Sequence, residues 1–139
     1  MEEQPKLELI SFDVTKIVFH RTILKKDFNY KVNVKFGVND LSKDDGIQRF
    51  KTFFLVSLSG ENENVPNIQV EAMGVFKMYG NPSDDIIFNF KQISSPTIIY
   101  PYIRAFISNL TLQTGLDTVT VPTINFVDLA EKKKVNITD

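Results

Sequence analysis

The sequence predicts an α+β fold, a four-stranded antiparallel sheet followed by a long helix, an extended crossover and a short C-terminal helix. Three observations carry this prediction. Residues 28–38 alternate apolar and non-apolar side chains without a break, the period of a half-buried strand. Three further stretches of strand character, Lys6–Arg21, Phe50–Ser59 and Ile68–Tyr79, are separated by polar, turn-rich segments. After them the period changes. Ile99, Tyr102, Ile103, Phe106, Ile107 and Leu110 recur at three- and four-residue steps, the stripe of an amphipathic helix.

In the first strand Ile10, Phe12 and Val14 alternate with Ser11, Asp13 and Thr15, and Ile17, Val18 and Phe19 make its end apolar on both faces. Thr22–Asp27 supplies a turn. The second strand sets Phe28, Tyr30, Val32, Val34, Phe36 and Val38 on one face. Asn39–Gln48 reads as a polar loop closing a hairpin, longer than the tightest type. The third strand carries Phe50, Thr52, Phe54, Val56 and Leu58 on one side, and Phe53 and Leu55 on the other. Gly60–Asn67 is a turn, and the fourth strand places Met73 and Val75 opposite Val70, Ala72, Gly74 and Phe76. Loops of this length predict a meander or a close variant.

Ser83, followed by Asp84 and Asp85, is an N-cap pattern for a short helix. Ser95 then caps the long helix, with Pro96 at the first position, where its missing N–H is harmless. Pro101 kinks or resets the first turn, and Gly115 is a C-cap. From 96 to 114 this helix spans roughly 28 Å, enough to cross four strands. Residues 116–126 are extended, and Val127–Lys134 forms the last, charged helix.

At 139 residues the chain is one domain, 1–139, with 1–5 and 135–139 as flexible tails. The 16 Lys and Arg against 17 Asp and Glu leave no global field to recruit nucleic acid or an anionic membrane. The absence of cysteine excludes disulfides, thiolate zinc sites and cysteine nucleophiles, and fits a cytoplasmic setting. The acidic start MEEQPKLELI lacks the pattern of a signal peptide, and no apolar run reaches the length of a membrane helix. Asn109 and Asn136 head chance glycosylation sequons.

No constellation for catalysis, metal or cofactor binding is found. Asp40, Asp44, Asp45 and Gly46 lack the spacing and terminal Glu of a calcium loop. His20 is the only histidine and has no nucleophile motif beside it, while Asp13, Asp84 and Asp85 read as a surface charge and a cap. The chain is expected not to be an enzyme.

Apolar side chains on both sheet faces are the informative feature. An antiparallel sheet covered on one side should be polar on the other, yet Phe53, Leu55, Met73 and Val75 are apolar on the second face. Each such side chain left exposed forfeits about 1.5–3 kcal/mol. Either the chain's own helices supply the missing layer, or the surface is for subunit association, polypeptide clients or an apolar ligand.

Tyr100-Pro101-Tyr102-Ile103-Arg104, then Ile107, Leu110 and Gly115, then Val119-Thr120-Val121-Pro122-Thr123-Ile124-Asn125-Phe126, resembles the carboxy-terminal signature of the SecB export chaperones. Gly74-Val75-Phe76 resembles the family's Gly-x-Phe in its fourth strand. Thr123 stands where the family has a second proline, and the segment between Gly115 and Pro122 is about a residue short. The resemblance implies a homotetramer, a dimer of dimers with long helices between two sheets, and it assigns Tyr102, Ile103, Phe106, Ile107 and Leu110 to that interface. It implies an ATP-independent holdase for unfolded polypeptides, with Phe28, Tyr30, Val32, Val34 and Phe36 lining a client groove and Phe53, Leu55, Met73 and Val75 as further client contacts. It also implies docking to the SecA motor through acidic residues on the sheet surface. Of these positions only Glu61 is acidic here, while Ile17 and Arg21 occupy the other two. SecB-like chaperones dedicated to an antitoxin of a toxin–antitoxin module form the alternative, and an apolar-ligand-binding β-protein is the reading from another class.

Overall fold

Strand β4 (Ile68–Tyr79) is alternately buried and half-buried from end to end, because successive side chains leave a strand on opposite faces. The computed structural model describes residues 4–20, 30–60, 68–114 and 121–138. β1 (Lys6–Phe19), β2 (Tyr30–Asp44) and β3 (Ile47–Gly60) join β4 in one antiparallel sheet of order β1-β4-β3-β2. The meander holds for β2, β3 and β4. β1 instead pairs with β4, from Lys6↔Tyr79 to Phe19↔Ile68, a Greek-key closure. β4 is apolar along its whole inner row, and placing a neighbour on each of its edges buries that row fully. The expected turn at Thr22–Asp27 and most of the one at Gly60–Asn67 lie outside the described residues.

Two details of the strands differ from the alternation read in the sequence. The β2–β3 connection is not a long loop. Asp45 and Gly46, with φ of 50° and 76°, make a two-residue hairpin turn, so the strands run on to Asp44 and start again at Ile47. The mostly polar residues 39–44 obscured this Asp-Gly signal, although Asp40 and Asp44 are held by Lys91 at 2.6 Å and Lys77 at 2.9 Å. In β1, register shifts at Leu9/Ser11 and Val14/Lys16 mark bulges. The first turns Ile10 outward, leaving it 44% exposed, while Leu9 and Phe12 face inward.

The helical region is continuous. Ser83 caps α1 (Asp84–Asn89), its Oγ accepting from the Ile86 N–H at 3.4 Å. A π-helical turn (Phe90–Ser94) then leads into α2 (Ser95–Gln113). Ser95 is therefore not a cap. Pro96 has no N–H and its ring crowds the carbonyl one turn back, and the wider π turn makes room for it. Ser95 and Thr97 flank it, donating their hydroxyls to the carbonyls of Lys91 (3.0 Å) and Ile93 (2.5 Å). Pro101 lies on the exposed face and the helix passes through it. Gly115 lies outside the described residues. α3 (Phe126–Thr138) is longer than expected. It is started by Asn125, whose Oδ1 accepts from the Asp128 N–H at 3.2 Å.

α2 lies on the inner face of β3 and β4 through Ile99, Ile103 and Ile107, each with no exposed surface. Gly74 permits this close approach, because a Cβ there would overlap the Ile99 side chain. Beside it the buried Thr52 hydroxyl donates to Ser95 Oγ at 2.7 Å, since Ser95 spends its own proton on Lys91. Both buried hydroxyls are thus satisfied.

Gly74→Val is expected to destabilise the fold by about 1–3 kcal/mol through overpacking. Gly46→Ala, with open space but a positive φ, should cost about 1 kcal/mol from backbone strain alone. Urea unfolding at one fixed protein concentration measures both. Midpoints equal to that of the parent would refute the packing account.

Candidate functional site

The inner face of β2 carries Val32, Val34, Phe36 and Val38, cross-strand from Leu58, Val56, Phe54 and Thr52. β2 is an edge strand, so this row ends the sheet and is only half-buried. Its cover comes from residues 121–125 and α3. Val121 is buried, and Ile124 and Leu129 pack on the core from outside. The apolar row of β2 is thus half-covered, with the end of the crossover and α3 above it.

Two side chains of α2 hold the roof in place. Tyr100 donates its hydroxyl to the Pro122 carbonyl at 2.6 Å, and Arg104 donates Nε to the Val121 carbonyl at 2.9 Å. Burial pushes the Tyr100 phenol above its ordinary pKa, against a smaller opposing pull from Arg104, so it stays a donor throughout the physiological range. Pro122 cannot donate, but its carbonyl accepts well. The aromatic-Pro-Tyr-x-Arg pattern and the Val-Pro pattern, far apart in sequence, are thereby two halves of one clasp.

Below the clasp four rings pack together. Phe36 stacks on Phe54 with centroids 5.4 Å apart, and Phe54 on Tyr100 at 5.8 Å. Phe126, at the head of α3, meets all three edge-on at 5.5, 6.2 and 5.7 Å. Above Phe36 sits Lys133, its Nζ 4.0 Å from the ring centroid and donating to Gln92 Oε1 at 2.8 Å. Burial holds this ammonium below the ordinary lysine pKa. The reading of Val127–Lys134 as a charged helix gave Lys133 no role, and its four-residue spacing from Leu129 was the available signal.

The nine side chains assigned to client contact fall in three places. Val32, Val34 and Phe36 lie in the half-covered inner row of β2. Phe53, Leu55, Met73 and Val75 lie on the opposite, outer face of the sheet, so they belong to a separate surface. Tyr30 begins β2 opposite Gly60, and Phe28 lies outside the described residues. The five helix residues assigned to an interface also divide. Ile103 and Ile107 face their own sheet and have no surface left for a partner, whereas Tyr102 is 54% exposed and Phe106 and Leu110 are half-buried. Tyr102 rests on Phe12 of β1 at 5.4 Å, and Ile98 and Leu112 are also exposed on α2. Glu61 and Arg21 lie outside the described residues, and Ile17 is 47% exposed near the end of β1.

Tyr100→Phe removes one donor of the clasp and should cost about 1 kcal/mol. Hydrogen exchange is expected to quicken at the amides of residues 123–126 and to stay unchanged in β3. Equal exchange at both places would show that the crossover does not depend on this bond.

The clasp, the ring cluster and the sheet order can be compared with known proteins. Residues 6–136 match the family model described as preprotein translocase subunit SecB. An uncharacterized protein of Methanocaldococcus jannaschii is 27% identical over 132 residues, covering 90% of this chain and 84% of its own length. The protein-export protein SecB of Albidiferax ferrireducens is 23% identical, covering 81% and 72%. That of Aromatoleum aromaticum is 25% identical, covering 76% and 67%. Among solved structures, the Mycobacterium tuberculosis SecB-like chaperone in complex with a ChAD peptide from the HigA1 antitoxin has the same fold. Its TM-score is 0.62 at 17% identity, over 86% of this chain and 88% of that one. Because the family match runs from the first strand to the last helix and takes in both halves of the clasp, the chain belongs to the SecB family.

Proposed function

We propose that this protein is an ATP-independent holdase of the cytoplasm, a chaperone that binds unfolded or nascent polypeptides in the groove between β2 and α3. The observation that carries the reading is the half-buried apolar row Val32, Val34 and Phe36 on an edge strand. A client laid along it places alternate apolar side chains among these residues, and its backbone can add hydrogen bonds to the open edge of β2. Apolar contact is non-directional, and backbone pairing ignores side-chain identity, so selectivity is for unfolded chains rather than for a sequence. No nucleotide chemistry is required.

The exposed side of α2 and the edge strand β1 support assembly into a homotetramer, a dimer of dimers. Tyr102, with Ile98 and Leu112, leaves an apolar strip that one protomer does not cover. Phe106 and Leu110 flank it, and burial of such a strip against a second copy favours association.

Between the two family roles, export and antitoxin control, the second has a specific observation behind it. The structural neighbour was solved with an antitoxin peptide, and Ile17 stands where an acidic SecA contact is expected. A dedicated antitoxin client is therefore the preferred partner, with SecA the alternative.

The purified protein should suppress aggregation of a denatured model client at stoichiometric ratio. Val34→Ser should weaken that suppression several-fold while leaving the melting transition close to the parent's. A folded variant with full activity would remove the groove from the mechanism. Native mass should give a tetramer, and Tyr102→Asp should lower it without unfolding the chain, whereas Ile107→Asp should unfold it. A tetrameric Tyr102→Asp protein would exclude this face as an interface.

A further inference from the structure

The outer face of the sheet is chemically divided along its length. On β2 and β3 its side chains include Lys31, Lys35, Arg49 and Lys51, and the carboxylate of Asp44, at the hairpin end, is taken up by Lys77. On β4 and β1 it is mixed, with Glu8, Asp13 and Glu71 among the lysines, and Lys6 and Lys77 already engage Glu8 and Asp44. Lys31, Lys35 and Lys51 have no ion-pair partner among the described residues, and the first two are exposed. This concentration occurs in a chain of formal net charge −1.

The basic half borders an apolar centre. Phe53 is 41% exposed, and its ring lies over Gly37, where a Cβ would overlap it. Leu55 continues β3, and Met73 and Val75 carry the apolar surface onto β4. Lys31 and Lys35 are about 13 Å apart along β2, and Lys51 is level with Asn39, about 13 Å beyond Lys35. Such spacing exceeds the Debye length of about 10 Å at 0.1 M salt. A single anion therefore feels one lysine at a time, and only an extended ligand with several carboxylates meets all three.

We propose that this face is a docking surface for an acidic, apolar-containing peptide segment of a partner protein, separate from the client groove. The carboxylates meet the lysines of β2 and β3, and the apolar side chains cover Phe53, Leu55, Met73 and Val75. Nucleic acid fits less well. It offers nothing to match the apolar centre of Phe53, Leu55, Met73 and Val75. Charge complementarity here is opposite in sign to the acidic SecA dock expected from the resemblance.

The test is fluorescence anisotropy of the full-length protein with three labelled probes: a short peptide alternating Glu with Phe and Leu, its Gln-for-Glu counterpart, and an oligothymidylate. At low salt the acidic peptide should bind about tenfold more tightly than the Gln peptide, and the advantage should collapse at high salt. K31Q/K35Q/K51Q should abolish the advantage with client holding retained, and the exposed pair K31Q/K35Q should reduce it if the triple variant does not fold. Val34→Ser should leave the advantage intact, which separates this surface from the groove. Equal binding of the two peptides, an advantage that survives the lysine substitutions or is lost in Val34→Ser, or oligothymidylate binding as tight as the acidic peptide would each overturn the proposal.

Discussion

Helix α2 can lie on its sheet only because β4 has no side chain at Gly74, where Ile99 enters. Everything on the groove side follows from that approach. With α2 seated on β3 and β4, one of its flanks presents Tyr100 and Arg104 to the crossover, and the other presents Tyr102 to β1. Moving the helix away by a methyl group would detach the clasp, and with it the position of Phe126 at the start of α3. The groove is thus set from the centre of the sheet outward, although it lies at an edge.

The arrangement also explains why a chain of this size carries so much unburied apolar surface. One layer of helices covers the inner face of β3 and β4 fully, but the flanking strands only in part. β2 gains only a loose cover from the crossover and α3. β1, kinked by two bulges, shares an incompletely covered strip with α2. Among the described residues no layer covers the outer face, which relies on lysine, serine and asparagine around a small apolar centre. Three incomplete burials have three different chemical surroundings.

Much of this was legible in residue pattern. Unbroken alternation marked β2 and β4, and three- and four-residue spacing marked α2, because burial of one face imposes those periods directly. The Ser83 cap was legible for the same local reason. Asp45-Gly46 was equally legible in principle, but the polar residues before it disguised a strand that protrudes past its core. Ile10 was misplaced because a bulge shifts every later side chain to the other face, and no local residue preference announces it. Ser95 carried a cap signature, yet its hydroxyl serves Lys91 and Thr52, since a π turn absorbs Pro96 and removes the need for a new helix start.

The sequence by itself determined the elements and their amphipathic faces, which depend on residues close together in the chain, and the family, which depends on the order of short local motifs along it. Tertiary structure alone decided which edge β1 joins, which apolar row faces the helices and which is outer surface, and that Ile103 and Ile107 are core. Those outcomes depend on contacts between distant residues: Gly74 with Ile99, Tyr100 with Pro122, Phe126 with Phe36, Lys133 with Gln92. Period two says that a strand has two faces. Only the docking of a helix says which of them is inside.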